Sequence, residues 1–164
     1  MFALKTIAAR SRVELYSELH VQARALLKGE RDPTANAANL ASLVFHTLPD
    51  LNWAGFYWRR GNELVLGPFQ GKPACVRIPI GKGVCGTAAR DKRTIVVPDV
   101  ERFPGHIACD GASRSEIVVP VMRDVDVLGV LDLDSPSLAR FDADDALGLE
   151  ELVAIFLLAT DVGR

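Results

Sequence analysis

The sequence of 164 residues has no cluster of basic residues and no long apolar run. Its 19 lysines and arginines nearly balance 21 aspartates and glutamates, which gives a formal net charge of −2. Nucleic-acid binding needs clustered positive charge, so these features argue against it. No run approaches the roughly 20 apolar residues of a membrane helix. Residues 1–12 also lack the apolar core of a signal peptide. We therefore expect a cytoplasmic protein that does not bind membranes.

Cysteine is scarce, and no two cysteines form a C-x-x-C pair. The three are Cys75, Cys85 and Cys109. An odd number in a chain that can bury its own core favours reactive or merely buried thiols over a disulfide framework. Structural zinc sites usually contain a C-x-x-C pair, which argues against a zinc site made of these cysteines and His106. The glycines of residues 81–86 match neither common phosphate-binding pattern. We expect no metal and no cofactor.

The two ends of the chain have the apolar periodicity of helices, and the middle has that of strands. Ser11 and Glu14 form a capping-box pattern, and Gly29 is a stop signal. Helices are predicted at about residues 12–28, 33–48 and 142–161, with a further short helix possible within residues 81–91. Strands lie between about residues 52 and 135, and they include one at 75–80 and a final hairpin at 116–134. Residues 101–114 are predicted to be irregular.

This order of elements predicts one α+β domain over residues 1–164. We expect a central, mainly antiparallel six-stranded sheet, with the N- and C-terminal helices packed on one face. No repeat, low-complexity segment or linker interrupts the sequence. The apolar flanks of the terminal helices suggest a homodimer.

Three acidic residues are predicted to meet in the final hairpin. The period of two places Leu128, Val130, Asp132 and Asp134 on one face of a strand. With the turn centred near Val125, Glu116 pairs with Asp134. Like charges in such a cluster should raise at least one carboxyl pKa or await a ligand that donates hydrogen bonds. Alternatively, the two aspartates lie at a frayed strand end and bind backbone amides of the following turn.

The thiols and aromatic residues allow both chemical and structural readings. Cys109 lies in a polar loop near His106, and a protonated histidine there would favour the thiolate, which makes Cys109 a candidate nucleophile. A second cysteine could convert its sulfenic acid to a disulfide. The alternative is that the cysteines are small buried apolar residues. Trp53 and Tyr57 share one strand face, where they belong either to the core or to a pocket for a small apolar or sulfur-containing group.

Several segments together resemble the free methionine-(R)-sulfoxide reductases, a family of GAF-domain enzymes. The resemblance covers residues 16–157, and its segments are NWAGFY at 52–57, LGPFQG at 66–71, AC at 74–75, IGKGVCG at 80–86, PGHIAC at 104–109, SRSEI at 113–117 and GVLDLDS at 129–135. It implies a single GAF domain. It further implies that Cys109 is the catalytic thiol, Cys75 the usual resolving thiol and Cys85 an auxiliary or alternative one. The implied substrate-binding residues are Glu116, Asp132, Asp134, Trp53 and Tyr57.

The implied reaction is the thiol-dependent reduction of free L-methionine-(R)-sulfoxide to L-methionine. It would pass through a cysteine sulfenic acid and an intramolecular disulfide that thioredoxin recycles, without metal or cofactor. The sulfoxide epimer and the requirement for the free amino acid follow from the resemblance alone. Which of Cys75 and Cys85 resolves the sulfenic acid stays open, as does the identity of the reductant protein. Two other classes remain: a ligand-sensing GAF module, and a redox sensor that uses the same thiols without turnover.

Overall fold

The structure is a computed structural model that describes residues 3–107 and 110–162. Its helices are α1 (Arg12–Leu26), α2 (Pro33–Thr47), α3 (Gly83–Asp91) and α4 (Ala143–Ala159). Its strands are β1 (Trp53–Arg60), β2 (Glu63–Gly71), β3 (Arg77–Pro79), β4 (Ile95–Val97), β5 (Ser115–Arg123) and β6 (Asp126–Ser135). Within this part of the chain, no helix is both long and apolar enough to span a membrane.

The strands form one antiparallel sheet with the order β3-β2-β1-β6-β5-β4. The N-terminal hairpin of β1 and β2 therefore lies beside the C-terminal hairpin of β5 and β6, and the sheet centre is the β1–β6 pair. This arrangement confirms the predicted α+β class and the six-stranded antiparallel sheet.

The sheet has an apolar core on each face. Helices α1, α2 and α4 cover one face, where Leu40 and Phe156 pack with Leu131 of β6. Helix α3 covers the other face, where Val84 and Cys85 pack with Val130. Successive residues of β6 thus enter different cores, as the alternation of a strand requires. The terminal helices share one face, as predicted, and the opposite face is left for α3 and the loops around it.

Side-chain caps set the starts of the terminal helices. Ser11 accepts a hydrogen bond from the Glu14 amide at the start of α1, and Asp32 accepts one from the Ala35 amide at the start of α2. Asp142 forms a capping box with Asp145 at the start of α4. The caps explain why the predicted starts agree with the structure to within one residue.

The helix ends differ slightly from those predicted. Helix α1 ends at Leu26 rather than residue 28, because the chain enters a turn that leads to Gly29 at a positive φ of 85°. Helix α4 ends at Ala159 rather than residue 161, because Thr160 is extended and its hydroxyl accepts a hydrogen bond from Asn36 at 3.0 Å. Asn36 lies on α2, so this end of α4 is set by a tertiary contact that helical periodicity does not record.

Three irregular features also differ from the predictions. Strand β3 covers only Arg77–Pro79, because only these residues pair with β2. A 3-10 helix at Val100–Arg102 begins the segment predicted to be irregular. In the last hairpin, Val121 pairs with Gly129 and the next pair skips Leu128, which forms a β-bulge. Leu128 therefore packs towards the terminal helices, and its predicted place on the face of Asp132 is wrong.

A buried ionic cluster joins α1 to α4. The Asp145 carboxylate is fully buried and lies 2.6 Å from the Arg12 guanidinium and 3.2 Å from that of Arg140. The Tyr16 hydroxyl also donates to it at 2.9 Å. Burying a carboxylate is costly unless such partners satisfy it. The cluster therefore holds the two helices in one relative position.

Replacing Gly148 with alanine should destabilise the α1–α4 contact. A Cβ atom at this position of α4 would overlap the buried ring of Tyr16. We expect the free energy of unfolding to fall by about 1–3 kcal/mol, as overpacking of a core usually causes. Urea titration of Gly148→Ala measures the change. Gly111→Ala is the control, because no atom of residues 3–107 or 110–162 lies within 4 Å of its new Cβ. Equal stability of the two variants would contradict the close contact.

Candidate functional site

Three carboxyl groups line one cavity between the sheet and α3. Glu116 of β5 pairs directly with Asp134 of β6, as predicted, and Asp132 lies two residues before Asp134 on the same face. Glu116 and Asp132 each expose only 6% of their surface. The alternative of a frayed strand end is wrong, because β6 continues to Ser135. In the turn that follows, the Ser135 hydroxyl accepts a hydrogen bond from the Ser137 amide.

Burial raises the pKa of each of these carboxyl groups well above its ordinary value. Their mutual repulsion raises it further, since Asp134 acts on Glu116, Glu116 on Asp132, and Asp132 on Asp134. The cluster therefore holds its protons to a higher pH than ordinary carboxyl groups do. Asp132 Oδ1 is buried and has no hydrogen-bond partner among residues 3–107 and 110–162. The cavity thus contains acidic protons and a carboxyl oxygen that is available to a ligand.

The Cys85 thiol lies beside these acids. It is buried on α3, and its sulfur is 4.0 Å from Glu116 Oε1, to which it donates. Burial, followed by the charge of Asp132, raises its pKa well above the ordinary value, so this cysteine is a thiol and not a thiolate. The close approach of α3 to β3 depends on Gly86, because a Cβ there would overlap the carbonyl oxygen of Pro79.

His106 reaches the same cluster from the loop after the 3-10 helix. Its Nε2 atom is 3.5 Å from Glu116 Oε2. Burial lowers the pKa of His106, so the ring is neutral at neutral pH. It is therefore not the imidazolium that the sequence suggested for activating Cys109. Because the ring is neutral, its contact with Glu116 is not an ion pair.

Two aromatic rings form one wall of the cavity. Trp53 and Tyr57 of β1 stack with ring centroids 5.8 Å apart, and Trp53 also stacks on Phe69 of β2 at 5.3 Å. Both Trp53 and Tyr57 are almost fully buried and line the cavity. Phe56 and Trp58 stack on the opposite face of the sheet. The prediction that Trp53 and Tyr57 share one strand face is confirmed.

The three cysteines have different environments. Cys75 lies just before β3 and is disulfide-bonded, whereas Cys85 is a free thiol. Cys109, the predicted catalytic thiol, lies outside the described residues. Among those described, one candidate group of metal-binding atoms contains Cys85, Glu116 and Asp132, with the atoms within 4.8 Å of one another. Thiol and carboxyl groups are zinc ligand types, but each of these would first have to lose its proton.

A set of polar contacts at the cavity mouth was not predicted from the sequence. Asn52 donates hydrogen bonds to Asp110 at 3.2 Å and to Ser113 at 3.0 Å. Lys72 forms an ion pair with Asp110 at 3.2 Å. A hydrogen bond from the Ala112 amide, followed by those from Lys72 and Asn52, lowers the pKa of Asp110, so this residue is a carboxylate. No local sequence signal places residues 52 and 72 beside residue 110.

The chain matches a known family and its members over most of its length. The family model described as GAF domain matches residues 3–159. The free methionine-R-sulfoxide reductase of Escherichia coli is 49% identical over 144 residues, which cover 88% of this chain and 87% of that protein. The enzyme of the same name from Saccharomyces cerevisiae is 46% identical over 150 residues, which cover 87% of this chain and 83% of that protein.

A solved structure has the same fold. It is the free methionine-R-sulfoxide reductase of Neisseria meningitidis in complex with its substrate, which is 46% identical, with a TM-score of 0.93. The match covers 97% of this chain and 95% of that one. The protein described here is thus a member of the GAF domain family. Within that family, it belongs to the free methionine-R-sulfoxide reductases, which are oxidoreductases acting on sulfur groups.

The raised pKa of Asp132 predicts a pH-dependent stabilisation by Asp132→Asn. The folded state keeps the Asp132 proton to a higher pH than the unfolded state, which releases it near its ordinary value of about 4. This residue therefore lowers stability increasingly as pH rises above that value. An amide cannot ionise, so we expect the variant to be more stable than the wild type by about 1–2 kcal/mol at pH 8, with a smaller gain at pH 4.

Thermal unfolding of Asp132→Asn and wild type between pH 4 and pH 8 measures this gain. Asp124→Asn, in the exposed β5–β6 turn, is the control for the same change of chemistry at the surface. A gain for Asp132→Asn that is constant over this pH range would contradict a raised pKa.

Proposed function

We propose that this protein reduces free L-methionine-(R)-sulfoxide to L-methionine. The observation that carries the proposal is the cluster of buried carboxyl groups with raised pKa values, which lies beside an aromatic wall in one cavity. The relatives from Escherichia coli and Saccharomyces cerevisiae bear the name of this activity, and the structure from Neisseria meningitidis is described as a substrate complex. The relatives' name also supports the epimer and the requirement for the free amino acid.

The acid cluster suits the chemistry of a sulfoxide. In the first step, the Cys109 thiolate attacks the sulfoxide sulfur, a sulfur–sulfur bond forms, and a carboxyl group protonates the oxygen. The hydroxyl then moves to the Cys109 sulfur as the sulfur–sulfur bond and the original sulfur–oxygen bond break, so that methionine leaves and a Cys109 sulfenic acid remains. The substrate sulfur gains two electrons and the cysteine sulfur loses two. Glu116, Asp132 and Asp134 are the groups that bind or protonate the oxygen, because burial and mutual repulsion raise their pKa values and so favour the protonated form.

The aromatic wall suits the other end of the reacting group. Trp53 and Tyr57 present stacked rings to the cavity beside the acids, and Trp53 pairs with Asp134 across β1 and β6. Aromatic rings pack favourably against sulfur and its attached methyl group. In this arrangement the rings hold the apolar side of the sulfoxide and the carboxyl groups hold its oxygen, so the sulfur is oriented for attack.

Cys75 is the resolving thiol of the proposed reaction. Its sulfur attacks the Cys109 sulfenic acid, a disulfide forms and water leaves. Two observations support Cys75 over Cys85. Cys75 is disulfide-bonded, and it lies in a half-exposed segment. Cys85 is buried, and its pKa is raised, which makes it a poor nucleophile. A thioredoxin-type dithiol then reduces the disulfide in the cytoplasm, and Cys85 has an auxiliary role.

Removing the Cys109 thiol should abolish the reaction. We expect Cys109→Ser to lower methionine release by roughly a thousandfold or more, since loss of a nucleophile removes the whole covalent pathway. The assay supplies free L-methionine-(R)-sulfoxide with a thioredoxin system. The opposite epimer is the specificity control. Disulfide formation with peroxide but no methionine from either epimer, in a folded wild type, would indicate a redox sensor instead.

Replacing Cys75 should separate disulfide formation from methionine release. We expect Cys75→Ser to lose turnover with thioredoxin, because no disulfide forms for it to reduce, and to retain turnover with dithiothreitol, which attacks the sulfenic acid directly. Cys85→Ser is the matched control and should keep most of its thioredoxin-dependent turnover. Sustained turnover of Cys75→Ser with thioredoxin would assign the resolving role to Cys85.

A homodimer is the assembly we propose. Exposed apolar side chains lie on α1 and α4, which pack against each other: Val13, Val21, Leu147 and Leu158. Such side chains mark a contact surface when they are contiguous. Sedimentation velocity should give the mass of two chains for the wild type, and Val21→Lys together with Leu158→Lys should give that of one. A wild type that sediments as a single chain at all concentrations tested would exclude the dimer.

A further inference from the structure

The two aromatic residues of the cavity wall also contact the segment that contains Cys75. Trp53 Nε1 donates a hydrogen bond to the Lys72 carbonyl oxygen at 3.2 Å. The Tyr57 hydroxyl donates one to the Cys75 carbonyl oxygen at 3.1 Å. The polar atom of each ring thus bonds to the main chain of the segment between β2 and β3. From these contacts and the proposed reaction, we infer that Tyr57, assisted by Trp53, is a positioning residue for the resolving thiol.

The segment needs such support because it is not part of the sheet. Residues 72–76 have no helix or strand structure, and Lys72, Pro73 and Val76 are exposed. The main chain rejoins the sheet where the Val76 carbonyl accepts a hydrogen bond from the Leu66 amide at 3.0 Å. An irregular exposed segment samples many conformations unless hydrogen bonds restrict it. The bond from Tyr57 restricts the residue whose sulfur must react.

Tyr57 is well suited to hold another segment in place. It lies on the central strand β1, where it pairs with Leu66 on one side and Val130 on the other. Only 1% of its surface is exposed, and its ring stacks on Trp53. Burial, followed by the charge of Asp132, raises the pKa of Tyr57 above its ordinary value, so the hydroxyl remains a donor in neutral and mildly alkaline solution. The donor of this hydrogen bond is therefore held in place by packing, and it keeps its proton in neutral and mildly alkaline solution.

This role separates the two chemical steps of the proposed reaction. The ring of Tyr57 contributes to the substrate pocket and acts before methionine leaves. The hydroxyl acts afterwards, when the Cys75 sulfur must displace hydroxide, as water, from the Cys109 sulfenic acid. Loss of the hydroxyl alone should therefore slow disulfide formation more than it slows methionine formation in the first turnover.

The variant Tyr57→Phe tests this separation, since it keeps the ring and removes the hydroxyl. In a single turnover without reductant, we expect one methionine per chain, with the rate of its formation lowered less than the rate of disulfide formation. Disulfide formation should be about five- to tenfold slower, as the loss of one hydrogen bond would give. Quenching with an alkylating reagent, followed by mass spectrometry, measures the disulfide, and a dimedone-type reagent measures the accumulated sulfenic acid.

Tyr16→Phe is the matched control. It removes another buried tyrosine hydroxyl, which donates to Asp145 on the opposite face of the sheet. We expect this variant to lose stability and to form the disulfide at the wild-type rate. A general effect of destabilisation would instead slow disulfide formation in both variants, and this result would overturn the inference.

A second comparison removes the resolving thiol. In a Cys75→Ser background with dithiothreitol, any loss of turnover caused by Tyr57→Phe reports on the substrate pocket, and we expect it to be smaller than the loss in the rate of disulfide formation when Cys75 is present. An equal or larger loss there, or a first-turnover methionine rate that falls as much as the rate of disulfide formation, would assign the hydroxyl to the substrate and overturn the inference. So would disulfide formation at the wild-type rate.

The test can also be separated from the proposed function. Hydrogen peroxide oxidises a thiolate to a sulfenic acid without any sulfoxide substrate. If the wild type releases no methionine, the proposed substrate is wrong. The rate of disulfide formation after a peroxide pulse still supports or overturns the role of Tyr57, and support again requires slower formation in Tyr57→Phe than in Tyr16→Phe.

Discussion

The pairing of β5 with β6 is the constraint on which the candidate site depends. It sets Glu116 against Asp134, and both faces of this hairpin are buried. A shift of one residue would exchange the two faces, and the acids would then enter the apolar core beneath α1, α2 and α4. The register is therefore fixed by the hydrophobic effect acting on Leu131, Leu133 and their neighbours, and the acids hold their positions because the apolar residues between them are in the core.

Two kinds of buried acid occur in this fold. Asp145 is surrounded by donors from Arg12, Arg140 and Tyr16, and it ties helices together. No lysine or arginine among the described residues forms an ion pair with Glu116, Asp132 or Asp134. Burying these acids without a cationic partner lowers the stability of the folded state. A ligand that shares their protons in hydrogen bonds can restore part of that stability. Asp145 thus stabilises the contact between two helices, whereas the acids of the candidate site lower stability. Such a loss of stability is common at functional sites.

Local patterns predicted much of this arrangement and failed where the cause is not local. Alternation in β6 and one turn position were enough to bring Glu116 and Asp134 together, because strand pairing is regular. The same rule failed at Leu128, where a bulge adds a residue. The contacts of Asn52 and Lys72 with Asp110 join three different loops. No periodicity in the sequence indicates that these loops come together. The bonds from Trp53 and Tyr57 to residues 72 and 75 are hidden for the same reason, since an aromatic residue on a strand gives no indication of where its polar atom points.

The burial of Cys85 also determines how well the pocket withstands oxidants. Sulfoxides accumulate when peroxides are abundant, and peroxides attack thiolates much faster than thiols. Cys85 keeps its proton beside Glu116 and exposes only 4% of its surface. It is therefore protected from oxidation under the same conditions in which sulfoxides form. The pocket can therefore contain a sulfur atom next to its acids without that atom becoming a sulfinic or sulfonic acid, whose added negative charge would repel the oxygen of the proposed substrate.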